Sequence, residues 1–336
     1  MINILIIIFS LLIIFFINKF SSKISIKTKL IDKPDNIRKF HKKEVPLLGG
    51  LMIFSSFCAI NLYLYLFQDF DKNTAIVFAT TTCCFIVGLV DDYRGLAYKY
   101  KFFFLIIFFY FFISLDESFQ LNKIYFSTFK NEIYLDNFSV LFTVLCLLLL
   151  ANAINLLDGI DGLCISISII WLIWLMIIFQ NIQLLYIALI ISLLYVLILN
   201  LKKDVFLGDS GSLFLGSLIG LNLILHYNLK ISSIYLSVED IFIILMLPGL
   251  DMLRVFLIRI FNKKNPFSPD RNHVHHLLIA QGFNAHKALI VILVLILFPI
   301  LLNYFTKIDS INIILFYVFF YSLFIFCLKK LVLLNK

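Results

Sequence analysis

Residues 140–163 read VLFTVLCLLLLANAINLLDGIDGL. The first eleven form an apolar run, and a second apolar run follows the stretch. At its end, polar residues recur at a step of three: Asn152, Asn155, Asp158, Asp161. Gly159 and Gly162 follow the two aspartates. Polar groups are costly in hydrocarbon, roughly 2.5–3.5 kcal/mol for a central Asp on insertion scales. Two amides and two carboxylates in so apolar a context therefore need partners. On a helix a step of three drifts by about 60°, so Asn152 and Asn155 can share a face. The two Asp-Gly pairs read as turns where the helix opens. A plain polar loop explains the pattern less well, because a solvated loop has no need of apolar residues between its polar ones.

Working outward, the whole chain has this character. Of 336 residues 62% are hydrophobic and 14% charged. Apolar runs of about 20 residues cross a bilayer core. They recur near 2–18, 47–67, 74–90, 102–115, 138–154, 163–180, 182–199, 210–226, 240–260, 288–304 and 311–328. The expectation is an all-α polytopic membrane protein of about 10–11 transmembrane helices, with residues 1–336 as one integral membrane domain. Continuous rather than alternating runs argue against an outer-membrane barrel. The first run lacks a basic leader and a small-residue cleavage site, so it reads as a retained helix. Cys58, Cys83, Cys84, Cys146, Cys164 and Cys327 lie in or beside apolar runs without a C-x-x-C pair, which fits buried free thiols.

The net charge of +8 would suggest nucleic acid in a water-soluble chain; here its distribution matters more. Lysines and arginines crowd the segments after the first, third, seventh and ninth runs and the tail, which alternate onto one side. By the positive-inside rule that side is cytoplasmic, with the N-terminus outside and the C-terminus inside. Asp91, Asp92, Asp158, Asp161, Asp209 and Asp270 fall on the same side, several at helix ends. Ordinary loop acids such as Asp116, Glu117, Glu132 and Asp136 fall on the other.

Three further motifs accompany the opening stretch. Asp91-Asp92-Tyr93-Arg94-Gly95 pairs two carboxylates that need a cation, a shared proton or water. They could handle a proton or a metal-bound phosphate, or form a helix end answered by Arg94. Phe206 to Gly216, FLGDSGSLFLG, leads glycines and serines into a helix whose free N–H groups favour an anion. There Asp209 suits a cap or a metal ligand, and Ser212, Gly216 and Gly220 suit close helix packing. Pro269 to His276, PDRNHVHH, places three of six histidines within four residues beside Arg271. Its spacing is unlike usual zinc sets and fits a multiply charged phosphate better. Amide and carboxylate oxygens suit Mg²⁺. Asp251 and Arg254, three apart on one helix, read as a structural ion pair.

DDYRG, NAINLLDGIDGL, FLGDSGSLFLG and RNHVHHLL, in this order, resemble the polyprenyl-phosphate N-acetylhexosamine-1-phosphate transferases, as does the early stretch from Asp32 to Gly50. The matches run from about residue 32 to 280. The resemblance implies transfer of a sugar 1-phosphate from a UDP-sugar to undecaprenyl phosphate, with release of UMP and a need for Mg²⁺, Mn²⁺ being an allowed substitute. It implies Asn155 and Asp209 at the metal. It gives Asp91 and Asp92 to the lipid phosphate and Asp158 and Asp161 to activity in undivided roles. Phe206 resembles the aromatic that stacks on uracil. Arg271, His273, His275 and His276 resemble the loop that grips the nucleotide diphosphate, and Asn152 shapes the substrate site. The muramoyl-pentapeptide branch usually has H-H-H-x-E and a lysine after the paired acids. Here His273-Val274-His275-His276-Leu277 and Arg94-Gly95 stand instead. The chain thus resembles the undecaprenyl-phosphate GlcNAc-1-phosphate branch, which starts lipid-linked cell-envelope glycans such as lipopolysaccharide O-antigen. Expected surroundings are the bacterial cytoplasmic membrane, a UDP-N-acetylhexosamine such as UDP-GlcNAc, no nucleic acid, and a homodimer as an allowed assembly. The muramoyl-pentapeptide branch is the near alternative and a proton- or cation-coupled transporter the distant one.

Overall fold

The computed structural model describes residues 2–32, 44–68, 70–178, 183–229, 236–265 and 272–334. It is helical almost throughout. The helices are α1 Ile2–Lys19, α2 Ser21–Thr28, α3 Gly49–Phe67, α4 Lys72–Arg94, α5 Tyr98–Ile113, α6 Ser139–Leu157 and α7 Leu163–Ile178, followed by α8 Gln183–Leu201, α9 Gly208–Leu229, α10 Val238–Phe261, α11 Val274–Ala280, α12 Ala285–Phe305 and α13 Ser310–Leu334. Each apolar run of the sequence overlaps one of these helices. Among the described residues eight helices are long and apolar enough to cross a membrane, and α1 with α2, bent by 68°, makes a ninth candidate. The protein is therefore an all-α, multi-pass membrane protein.

Two small antiparallel ladders interrupt the helices. One pairs β1 Ile31–Asp32 with β2 Val45–Pro46. The other is a hairpin of β3 Lys123–Phe126 and β4 Asn131–Tyr134 between α5 and α6. The hairpin is pinned from the helices: Glu239 accepts from the Ser127 and Thr128 amides at 3.0 and 3.1 Å, and the Tyr227 hydroxyl accepts from Tyr125 N at 2.7 Å.

The core is organised around α9, which is buried along nearly its whole length. Small residues make this possible. A Cβ on Gly216 would lie 2.8 Å from Ala151 Cα, and one on Gly220 would lie 2.6 Å from the Leu147 side chain, so α6 packs against the backbone of α9. On its other side a Cβ on Gly88 of α4 would lie 2.4 Å from Asp209 O. The stepped glycines are structural, as their spacing implies. Both neighbours run antiparallel to α9, which brings the C-terminal ends of α4 and α6 to its N-terminus. The cysteines are all free. The expectation of buried thiols holds fully for Cys84 and Cys164 but not for Cys327, which is exposed on the apolar outer face of α13.

Candidate active site

The start of α9 is held in place by its neighbours. Phe206 N donates to Pro46 O, and the Gly49 and Gly50 amides donate to Phe206 O and Leu207 O, each at 2.9 Å. This strand-like seam fixes the approach, and Gly208 turns the chain with φ of 75°. Two of the first-turn N–H groups, those of Asp209 and Ser210, are already taken, which differs from the expectation of an open anion site. Asp92 reaches across from α4 and accepts from Asp209 N at 2.7 Å and Ser210 N at 3.0 Å. The helix start does attract an anion, as its dipole requires, but the anion is a carboxylate of the protein.

Asp91, next in chain, faces a different partner. Its Oδ1 accepts from Leu96 N at 2.6 Å, across a turn made by Gly95 at φ of 69°. Its Oδ2 meets the Lys101 ammonium at 2.6 Å. The same ammonium binds Asp209 Oδ2. Asp209 Oδ1 accepts from Asn155 Nδ2 at 2.9 Å, and that amide also donates to Ser212 Oγ at 2.9 Å. Four elements thus converge: the end of α4, the start of α5, the end of α6 and the start of α9. The cation answering Asp91 is Lys101, not Arg94, whose guanidinium lies over the Tyr93 ring at 5.7 Å, and Asp92 is answered by backbone amides instead. Lys101 escaped the sequence reading because it looks like one more lysine of a basic loop.

The other candidates lie around this cluster. Asn152 and Asn155 do not share a partner: Asn152 Nδ2 sits 3.7 Å from Met252 Sδ on α10, while Asn155 faces α9. Asp158 and Asp161 occupy the α6–α7 turn. Asp161 is 3.6 Å from Lys203. Burial first, then the charges of Asp209, Asp92 and Asp161, push the Asp158 carboxyl well above the ordinary range. Phe206 is partly exposed beside the α9 start.

The histidines are not on a solvated loop. His273 stands just before the short helix α11, and His273 and His275 are 4% and 1% exposed. Their rings are parallel, with centroids 5.9 Å apart, and His276 lies 4.1 Å from His275. A Cβ on Gly159 would lie 2.1 Å from His275 Nε2, so α11 packs directly on the α6–α7 turn. Burial, then His276, lowers the His275 imidazole to about 3. Arg271 lies outside the described residues. Asp251, read as half of a simple ion pair with Arg254, is at 2.7 Å from it but also binds His273 Nδ1 at 2.8 Å.

Chemically, the cluster holds one cation, the Lys101 ammonium, between two carboxylates. No group of three or more His, Cys, Asp or Glu side chains among the described residues forms a full metal cage. Mg²⁺ does not need one, because it takes one or two carboxylates and completes its shell with water and substrate phosphates. Asp91 Oδ2 and Asp209 Oδ2, converging on a single ammonium, fit that requirement.

The model of the family "Glycosyl transferase family 4" matches residues 74–227. A Bacillus subtilis (strain 168) protein named "Probable undecaprenyl-phosphate N-acetylglucosaminyl 1-phosphate transferase" is 32% identical over 298 residues, spanning 84% of this chain and 79% of that protein. An undecaprenyl-phosphate alpha-N-acetylglucosaminyl 1-phosphate transferase of Yersinia pestis is 27% identical over 281 residues, covering 80% and 75% of the two chains. Its namesake in Escherichia coli (strain K12) is 26% identical over 283 residues, covering 81% and 75%.

Proposed function

The chain belongs to glycosyl transferase family 4, and we propose that it transfers N-acetylglucosamine 1-phosphate from UDP-N-acetylglucosamine to undecaprenyl phosphate, releasing UMP. The product would start a lipid-linked glycan of the bacterial cell envelope. The observation that carries this reading is the convergence of Asp91, Asp209, Asn155 and Lys101 at one end of the bundle, in a chain whose relatives are named for this reaction.

An oxygen of the lipid phosphate attacks the β-phosphorus of the donor. The bond from that phosphorus to the bridging oxygen breaks, and UMP leaves with the electron pair. A phosphomonoester has a second pKa of about 6, so the acceptor is already ionised near neutral pH. The main demand on the protein is therefore charge neutralisation, not proton removal. Lys101 supplies one positive charge toward that demand, held in place by Asp91 and Asp209. Asp92 holds the start of α9, and through it Asp209. Asn155 and Asp209 are the proposed Mg²⁺ residues, with Asp91 beside them. Mg²⁺, or Mn²⁺ in its place, would offset the repulsion between two phosphates. Asn155 orients Asp209 through its amide. Phe206 offers a flat face for uracil. Arg271, His273, His275 and His276 would bind the nucleotide diphosphate, Asn152 would shape the substrate site, and Asp158 and Asp161 would serve turnover.

The site end would face the cytoplasm, where the soluble donor is found, with the N-terminus outside. The whole chain would act as one membrane domain, in the bacterial cytoplasmic membrane, and a homodimer is part of the same reading. The muramoyl-pentapeptide alternative is not favoured by the names of the relatives. Incubating the purified protein with undecaprenyl phosphate, Mg²⁺ and a panel of labelled UDP-sugars tests the proposal. Label should enter lipid from UDP-N-acetylglucosamine with equimolar UMP. No UMP from any UDP-sugar would sink it.

A further inference from the structure

Asp251 lies inside α10, ten residues before the helix ends, and is 1% exposed. A buried carboxylate needs compensating donors. An ion pair with Arg254 would supply one, yet four donors converge. Asp251 Oδ1 accepts from Arg254 Nη2 at 2.7 Å, the Tyr321 hydroxyl at 2.9 Å and Val274 N at 3.1 Å. Its Oδ2 meets His273 Nδ1 at 2.8 Å. Arg254 also donates to Asn272 O at 2.5 Å. The Asp251–Arg254 pair therefore grips residues 272–274 through a carbonyl, an amide and an imidazole, and ties them to α13 through Tyr321.

The second ring nitrogen of His273 is buried without a hydrogen-bond partner, and so are both ring nitrogens of His275 and Nη1 of Arg254. Leaving a buried polar group unpaired is costly. Such a set of nitrogens, beside a carboxylate already saturated with donors, suits an anion that accepts hydrogen bonds.

We infer that Asp251 is a positioning residue that fixes His273 with its Nδ1 proton inward, so that Nε2 meets the phosphates of the nucleotide donor. The inference rests on the proposed function. A neutral imidazole carries one N–H. With Nδ1–H donated to Asp251, Nε2 holds a lone pair and can take a proton as the phosphates arrive. The imidazolium then lies between two anions, Asp251 and a phosphate oxygen. Donor binding is thereby coupled to uptake of a proton. The other charged or titratable groups around the Asp251–His273 pair are Arg254 of α10, with Lys329 of α13 near it, Tyr321 of α13, and His275 and His276 of α11.

The Asp251→Asn variant separates this role from simple packing. Three donors crowd the Oδ1 position, so the amide oxygen must occupy it and the NH₂ must face His273 Nδ1. The ring proton then moves to Nε2, and the charge on His273 loses its partner. The expected result is a tenfold or larger rise in KM for the UDP-sugar. kcat and the KM for undecaprenyl phosphate should change less than threefold, and Asp251→Glu should recover part of the loss. Calorimetry of UDP-sugar binding in buffers of different ionisation enthalpy should show proton uptake by the wild type and its loss in Asp251→Asn and His273→Asn. In a double-mutant cycle the double variant should bind no worse than His273→Asn alone. Additive losses, or equal weakening of both substrates, would overturn the inference while leaving the reaction intact. If Asp251→Asn does not fold, the comparison of wild type with His273→Asn decides: equal proton uptake in the two overturns the inference. A wild type that binds no UDP-sugar overturns the proposed function and this inference with it.

Discussion

Lys101 makes the strongest residue-scale prediction. Its ammonium bridges Asp91 and Asp209, two carboxylates that would otherwise repel one another across the site. Removing one preorganised charge-stabilising group costs on the order of 10²-fold or more in kcat. Lys101→Met should therefore lower the rate of UMP release by about 100-fold while the protein stays folded in detergent. A rate within twofold of wild type would show that the ammonium has no part in turnover. Nothing local in the sequence marks this residue. It lies ten positions beyond Asp91, with the Gly95 turn between them, and only folding brings the two together. The available signal was its setting, a lysine between Tyr100 and Phe102 at the mouth of a long aromatic run. Asp251 was legible as a partner of Arg254 because a spacing of three is local; its bond to His273 crosses a loop and was not. His275 gives a prediction in pH. Its folded value, about 3, lies below the ordinary imidazole range because the ring is buried. Its contribution to stability is therefore present above about pH 6.5, the unperturbed value, and is lost progressively as pH falls toward the folded value. Melting temperatures at pH 7.5 and 5.0 should fall more in wild type than in His275→Gln; equal falls would mean the ring titrates freely.

At the scale of elements, the site depends on how closely α4 approaches the first turn of α9. A Cβ at position 88 would lie 2.4 Å from Asp209 O and 2.5 Å from Ser210 Cα, both backbone atoms that cannot swing aside. Overpacking of this kind costs about 1–3 kcal/mol, and here it would also displace Asp92 from the amides it caps. Gly88→Ala should thus lose both thermal stability and activity. Gly249→Ala is the control: nothing lies within 4 Å of its Cβ and its φ is not positive. Replacing a helical glycine there should raise stability by up to about 1 kcal/mol. Melting curves of the two variants decide the matter, and a Gly88→Ala protein as stable as wild type would mean that α4 can shift without cost. The helices themselves were legible because hydropathy over a run of about 20 residues is a local property. The short helices α2 and α11 and the β3–β4 hairpin were not, because each is held by long-range contacts. The hairpin hangs on Glu239 and Tyr227, more than a hundred residues away in sequence. The turns at Asp158-Gly159 and Asp161-Gly162 were read correctly from their glycines; Gly162 has φ of 82°.

For the molecule as a whole, the prediction concerns which end of the bundle faces which compartment. The geometry sorts the polar groups into two sets. Asp91, Lys101, Asn155, Asp209 and the α11 histidines belong to one end. The β3–β4 hairpin and the Lys72–Asp116 pair, at 2.6 Å, belong to the other. The two ends differ in chemistry as well as place. The first carries the basic segments after α1, α8 and α10, which the positive-inside rule assigns to the cytoplasm. The second holds its few acids in local structure, with Asp116 drawn down to about 2, first by Lys72 and then by the Ser118 amide. A nucleotide-sugar donor would exist only on the cytoplasmic side, so the orientation and the proposed reaction stand together. The prediction is made on single cysteines in a background lacking the native six. Glu117→Cys, exposed beside the hairpin, should react with a membrane-impermeant thiol reagent added to intact cells. Lys263→Cys, exposed just after α10, should react only once the membrane is opened. The reverse pattern would place the carboxylate cluster outside the cell, away from any UDP-sugar, and a transferase reading could not survive it.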